Sequence, residues 1–284
     1  MELLTMRIDS HQHFWKYNAT DYVWMTEAHD ILRRDFLPAD IHPLLDDAGL
    51  DGTIAVQARQ MVEETDFLLS LAESDPRILG VVGWLPLADP GIPALLEAYA
   101  HRKSIVGLRH VVHDEPDPDF ILRPDVNRGV SALAAYPLCY DILIFERHLP
   151  QAIRFADLHP DIRLVVDHIA KPVIRRGVFD QAWADNIRRL AERPHVCCKL
   201  SGMLTEVRDA TWDLPLLQPY FDTVLEAFGA DRIMLGSDWP VCLLGGSYRQ
   251  WMEAVASFIV PLSGSERKAI LGGTAARTYL QREA

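Results

Sequence analysis

Basic charge, paired cysteines, long apolar runs and phosphate-cradling glycines are all scarce in this 284-residue sequence, and each shortage removes a class of function. With 28 Lys and Arg against 40 Asp and Glu, the formal net charge is −12, so no face suited to nucleic acid or to an anionic membrane is expected. The expected partner is a small molecule. No stretch approaches the roughly 18 apolar residues of a membrane span, and Met1 to Arg7 lacks the basic and apolar regions of a signal peptide. A cytoplasmic protein is expected. The cysteines are Cys139, Cys197, Cys198 and Cys242, two of them adjacent and none in a Cys-x-x-Cys spacing, which argues against a zinc knuckle or a disulfide framework. No Gly-x-Gly-x-x-Gly turn follows the first strand-like run, as a dinucleotide-binding doubly wound sheet would require. Linkers, repeats, low-complexity tracts and charge blocks are also missing, so one domain spanning residues 1–284 is expected.

What is present is an alternation. Apolar or β-branched runs occur at 7–10, 52–57, 78–84, 106–109, 139–144, 163–167, 196–200 and 233–235. Segments of helical spacing lie between and after them, at 38–48, 63–74, 93–101, 125–135, 150–158, 179–192, 215–228 and 248–259. Eight strands alternating with eight helices predict an α/β chain folded as a (β/α)₈ TIM barrel, and the tail 263–280 adds helical turns that close its bottom or side. A doubly wound sheet is the alternative, but such sheets usually have fewer strands.

In a barrel of this kind the chemistry sits at the C-terminal rim, where each strand runs out into its loop. The strand ends carry His11 and His13, then Gln57, Trp84, Arg109 with His110, Glu146, Asp167 with His168, Lys199 with Ser201, and Asp238. One charged strand end is ordinary. A ring of them costs desolvation unless a ligand or metal uses it. On an extended strand His11 and His13 leave the same face, able to hold a divalent metal or to donate to a carbonyl, although such a pair alone is more often a surface feature. His168 is open to two readings, a site residue or a core histidine bonded to Asp167. Asp238 follows a Gly236-Ser237 turn, and the next helical pattern begins only near Tyr248, so a purely capping role is disfavoured. The segment from Phe14 to Phe36 is too long for an ordinary strand-to-helix loop and carries Trp15, Tyr17, Tyr22, Trp24 and Met25, aromatics able either to cover a ring-shaped ligand or to cap the barrel core.

The set Ile8-Asp9-Ser10-His11-Gln12-His13-Phe14-Trp15, Gly107-Leu108-Arg109, Asp167-His168-Ile169-Ala170-Lys171-Pro172, Lys199-Leu200-Ser201-Gly202 and Gly236-Ser237-Asp238-Trp239-Pro240 resembles the amidohydrolase superfamily. Within it, the set is similar to the sugar-lactone hydrolases of the fuconolactonase and rhamnonolactonase type, over essentially the whole chain. The resemblance implies that His11, His13, His168 and Asp238 occupy metal-ligand positions, that Asp238 is the general base, and that Arg109 and Lys171 polarise a carbonyl or hold substrate oxygens. Arg109 stands where binuclear members carry a bridging lysine or glutamate, and Ile144-Phe145-Glu146 lacks their histidine, which argues against two metals. One Zn²⁺ or another divalent ion remains compatible with these ligands, and metal-free lactone hydrolysis is compatible too.

The implied reaction is hydrolysis of an aldonolactone, L-fuconolactone first, to its hydroxy acid. His11, His13, His168, Arg109 and Asp238 are the expected catalytic groups. Gln57, Glu146, Lys171 and Ser201 are expected to read hydroxyls, and Trp15, Trp24 and Trp239 to stack on the sugar. The rivals are another amidohydrolase-type hydrolase or a metal-dependent decarboxylase on the same scaffold, the latter expected to carry His-x-Gly-Glu where His168-Ile169-Ala170-Lys171 stands here, and a non-catalytic scaffold, which has little use for a rim of titratable groups.

Overall fold

A computed structural model of the protein describes residues 6–281, so most of the N-terminal segment read for targeting lies outside the described residues. The strands are β1 (Ile8–Gln12), β2 (Gly52–Val56), β3 (Ile78–Gly83), β4 (Ile105–Val111), β5 (Cys139–Leu143), β6 (Leu164–Val166), β7 (Val196–Leu200) and β8 (Ile233–Leu235). They form one parallel sheet in sequence order. The helices are α1 (Pro38–Ala48), α2 (Val62–Ser74), α3 (Ile92–Ala100), α4 (Pro124–Ser131), α5 (Leu149–Leu158), α6 (Gln181–Ala191), α7 (Leu214–Phe228) and α8 (Tyr248–Ile259). This is the (β/α)₈ barrel that the alternation predicts. No helix among the described residues is long and apolar enough to cross a membrane.

Local chemistry sets the element ends. Pro38 opens α1, where its missing N–H is not needed, and Gly49 ends it in the left-handed region at φ 63°. Asp180 caps α6 by accepting from Trp183 N–H, and Ser247 with Gln250 forms a capping box at the start of α8. The expected fourth helix runs on to Ala135; α4 instead stops at Ser131 and finishes as a 3₁₀ turn, Ala132–Ala135, because Pro137 denies the preceding residues a helical continuation.

Two apolar layers flank the sheet. Outside, the helices pack on the strands through residues such as Leu45, Leu68, Leu96, Phe155, Ile187, Phe221 and Trp251. Inside lie Ile8, Ile54, Val56, Val82, Val106, Val165 and Met234, joined by Ala275, Ala276 and Tyr279 from the tail. The tail forms α9 (Gly264–Lys268) and two π-helical turns, and it plugs the end of the barrel where the strands begin.

The closing seam, between β8 and β1, has only one parallel bridge, Gln12 to Trp239. Other bonds complete it: Asp238 N–H donates to the His11 carbonyl at 2.8 Å, His13 N–H to the Trp239 carbonyl at 2.7 Å, and the Ser10 hydroxyl to the Leu235 carbonyl at 2.6 Å. Whereas the first strand was expected to end at Ser10, β1 reaches Gln12, with a register shift against β2 between Asp9 and Gln12. A bulge at a barrel rim re-aims side chains, and this one carries His11.

Candidate active site

The seam brings the first and last strands' polar groups together. Asp238 Oδ1 lies 3.2 Å from His13 Nε2 and 3.8 Å from Nε2 of both His11 and His168. His13 spends Nδ1 on the Val56 carbonyl at 2.8 Å, which leaves Nε2 facing Asp238 and, at 3.3 Å, His11 Nε2. His168 is bonded through Nδ1 to the Ser201 hydroxyl at 2.8 Å rather than to Asp167, with its Nε2 turned toward Asp238.

His168 reaches this position by an unusual path. After β6 the chain turns left-handed over four consecutive non-glycine residues, His168, Ile169, Ala170 and Lys171, with φ between 48° and 60°. The fifth non-glycine residue with positive φ among the described residues is Asp238, at 58°. Such a conformation costs about 1–2 kcal/mol per L-residue, and it persists where surrounding contacts over-determine it, most often at functional sites. Here Trp183 Nε1 donates to the Ile169 carbonyl at 2.7 Å and Lys171 N–H to the His168 carbonyl at 2.8 Å. Gly202, at φ 67°, lies so close to the His168 ring that a Cβ there would come within 2.6 Å of it.

Electrostatics separate the carboxylate from the imidazoles. Burial by itself would raise Asp238, but His168, His13 and His11 hold it below the ordinary carboxylate range. Burial pushes His11 well down and His168 to about 3, so both rings are neutral near pH 7. An ionised Asp238 beside the neutral rings of His11 and His168 is the group of this set that can accept a proton.

Beneath the cluster lies a layer of buried charge. Arg109 Nη1 donates to Asp167 Oδ2 at 2.9 Å and stands 3.3 Å from His11 Nε2, while Nη2 donates to Gln57 Oε1 at 3.1 Å and to the Gln57 carbonyl. Lys199, wholly buried, places Nζ 2.5 Å from Asp141 Oδ2, 3.0 Å from Asp167 Oδ1 and 3.1 Å from His11 Nδ1. Tyr279 from the tail donates to both oxygens of Asp141. Sequence reasoning placed Lys199 only at a strand end and passed over Asp141 and Tyr279. The available signal was a charged residue amid the apolar run of β5, Cys-Tyr-Asp-Ile-Leu, and another in β7, Val-Cys-Cys-Lys-Leu.

The other expected residues are placed unevenly. Trp15 and Trp239 are buried, Trp15 against Tyr22 and Phe36 with its indole N–H on the Arg34 carbonyl. Trp24 is partly exposed, edge-on to Trp15. Lys171 pairs with Glu206 at 2.9 Å over the Phe145 ring. Glu146, half-buried, begins a 3₁₀ turn and, among the described residues, makes no hydrogen bond to the cluster.

Ligand atoms of His11, His168 and Asp238 all lie within 4.8 Å of one another. Neutral imidazoles and an ionised carboxylate are the donors that a divalent ion takes, so the residues fit one.

Comparison with known proteins identifies full-length relatives. The chain is 43% identical to an L-fucono-1,5-lactonase of Burkholderia multivorans over 96% of each chain. It is 37% identical to an L-fucono-1,5-lactonase of Burkholderia ambifaria over 97% of this chain and 96% of the other. A crystal structure of an amidohydrolase from Burkholderia multivorans with bound Zn superposes with a TM-score of 0.92 at 43% identity, covering 98% of this chain and all of that one. Residues 8–280 match the family described as amidohydrolase, to which this chain therefore belongs.

Proposed function

We propose that the protein hydrolyses a sugar-derived lactone to its hydroxy acid, with L-fucono-1,5-lactone the leading substrate. The observation that carries this reading is the buried Asp238 carboxylate, 3.2 Å from His13 and 3.8 Å from His11 and His168, where β8 meets β1. The identity to two L-fucono-1,5-lactonases supports the choice of sugar.

Asp238 takes a proton from a water molecule as the water oxygen attacks the ring carbonyl carbon. His11, His168 and Arg109 are assigned to stabilise the negative charge that develops on the carbonyl oxygen, each good donor contributing about 3 kcal/mol, and His13, its Nδ1 held by the Val56 carbonyl, lines the site beside Asp238. The bond from carbonyl carbon to ring oxygen then breaks, and Asp238 returns the proton to that oxygen, giving a hydroxyl and a carboxylic acid, which ionises and releases its remaining proton to solvent. Gln57, Glu146, Lys171 and Ser201 are assigned to reading hydroxyls, and Trp15, Trp24 and Trp239 to shaping the apolar side of the site.

A divalent ion such as Zn²⁺ would be held by His11, His168 and Asp238, with His13 beside them, and when bound it polarises a carbonyl or acidifies water. The chain's own donors suffice for a lactone, whose ring ester is more reactive than an amide, and the Arg109 guanidinium beside His11 already supplies positive charge.

The test is a pH-indicator assay over a panel of 1,4- and 1,5-aldonolactones, since each turnover releases a proton. Hydrolysis of an L-fucono-type lactone is expected. Failure on every lactone, with carbon dioxide release from an aromatic acid instead, would move the protein to the decarboxylases of this scaffold.

A further inference from the structure

We infer that Asp9 is a positioning residue that sets the distance between His11 and Asp238; this rests on the lactonase reading only for its kinetic test. Seven of the eight strand neighbours are held in register by ladders, but the pair that carries the chemistry shares a single bridge. At that junction one carboxylate reaches both sides. Asp9 Oδ1 accepts from His11 N–H at 3.2 Å and from Ser237 N–H at 2.8 Å, while Oδ2 accepts from the Tyr248 hydroxyl at 3.2 Å.

One oxygen is therefore bonded to the backbone of the residue bearing the imidazole and to the backbone of the residue preceding Asp238. The other ties that clamp to α8, so the two strand ends are referred to the same rigid helix. Asp9 is wholly buried, and a buried carboxylate is costly unless its hydrogen bonds do something an apolar side chain cannot. The bulge between Asp9 and Gln12 explains why it bonds to α8 while His11 faces the rim. Ser237 adds a second stitch from its hydroxyl, which donates to the His11 carbonyl at 3.3 Å. Positioning of this kind acts on the rate: a misplacement of about 1 Å costs on the order of 10²-fold.

The experiment compares Asp9→Ala, Asp9→Asn and Tyr248→Phe with the unaltered enzyme in lactone hydrolysis, folding being checked by circular dichroism. Asp9→Ala is expected to lower kcat by about 10²-fold with KM unchanged, since it loosens the catalytic groups and touches no substrate. Asp9→Asn keeps an oxygen that accepts both N–H groups, so it should recover most of that loss, a rescue that a general loss of packing would not show. Tyr248→Phe, which frees the outer end of the clamp, should fall between them. If Asp9→Ala does not fold, the double variant Asp9→Asn/Tyr248→Phe decides, with a roughly tenfold fall in kcat expected. Unchanged kcat in the folded variants, or a rise in KM alone, overturns the inference. Absence of turnover in the unaltered enzyme instead overturns the functional reading.

Discussion

Asp238 Oδ1 stands 3.2 Å from His13 Nε2, although 225 residues of chain separate them. That proximity follows from barrel closure, which makes the first and last strands neighbours, and it brings two unremarkable stretches of sequence to one site. Replacing Asp238 by Asn keeps the shape and removes the proton acceptor. Asp238→Asn should fold normally and lose about 10²- to 10⁴-fold in kcat. Near-normal turnover by a folded variant would show that some other group activates the water.

The neutral state of His168 has a consequence for acid stability. Burial is the main reason its pKa falls to about 3, with Asp238 opposing the fall, whereas an unfolded imidazole titrates near 6.5. Between these values the unfolded chain binds a proton that the folded one refuses. The contribution to stability is therefore complete above pH 6.5 and is lost as pH falls toward 3, at up to about 1.4 kcal/mol per pH unit for one such proton. Urea midpoints measured between pH 7 and pH 4 should show this decline, and His168→Gln should make it shallower. An identical slope in the variant would mean that the imidazole is already protonated in the native state.

The strand and helix alternation was open to reading because parallel strands buried on both faces are apolar runs, and amphipathic helices carry their own period. His11, His13, His168 and Asp238 could be found because polar groups at strand ends are informative in a barrel. The left-handed turn at His168–Lys171 could not be foreseen, since none of those residues is glycine and tertiary contacts, from Trp183 and Ser201 among others, help to hold them there. Nor could the pairing of Lys171 with Glu206, which joins residues 35 apart through loop geometry. Of the loop aromatics, Trp15 is sealed among other rings, the core-capping role its composition allowed, and Trp24 reaches the surface.

Metal removal tests which groups carry the electrophilic work. After exhaustive chelation, with bound metal measured by mass spectrometry, lactone hydrolysis should persist at a substantial fraction of its starting rate. Arg109→Met should then cost about 10²- to 10³-fold, as the loss of one oxyanion donor does. Abolished activity that returns only on adding a divalent ion would assign the carbonyl-polarising role to the metal.

Lys199 makes a different prediction, about stability. Its ammonium group has Asp141, Asp167 and His11 as neighbours and no solvent. Taking away one partner of a buried pair leaves bare charge behind and costs about 3–5 kcal/mol. Lys199→Met should lower unfolding free energy in urea by that order, and adding Asp141→Asn should recover part of it by removing one of the unpaired carboxylates. Equal stability of the single variant and the unaltered protein would mean that the network relaxes or takes up protons without cost.

Gly202 connects backbone conformation to the site. Its φ of 67° lies where an L side chain is strained, and an added Cβ would meet the His168 ring at 2.6 Å, closer than real contacts of that kind occur. The ring cannot retreat freely, because its Nδ1 is fixed to the Ser201 hydroxyl at 2.8 Å and its own backbone belongs to the left-handed turn. Gly202→Ala should therefore cost about 1–2 kcal/mol in unfolding free energy from the conformation alone, with a further loss from the clash. It should also displace His168 and lower kcat much more than it raises KM. Gly177, at φ 72° with nothing within 4 Å of an added Cβ, is the control. Gly177→Ala should show only the conformational cost and full activity, and a matching loss of activity in both variants would separate Gly202 from the chemistry.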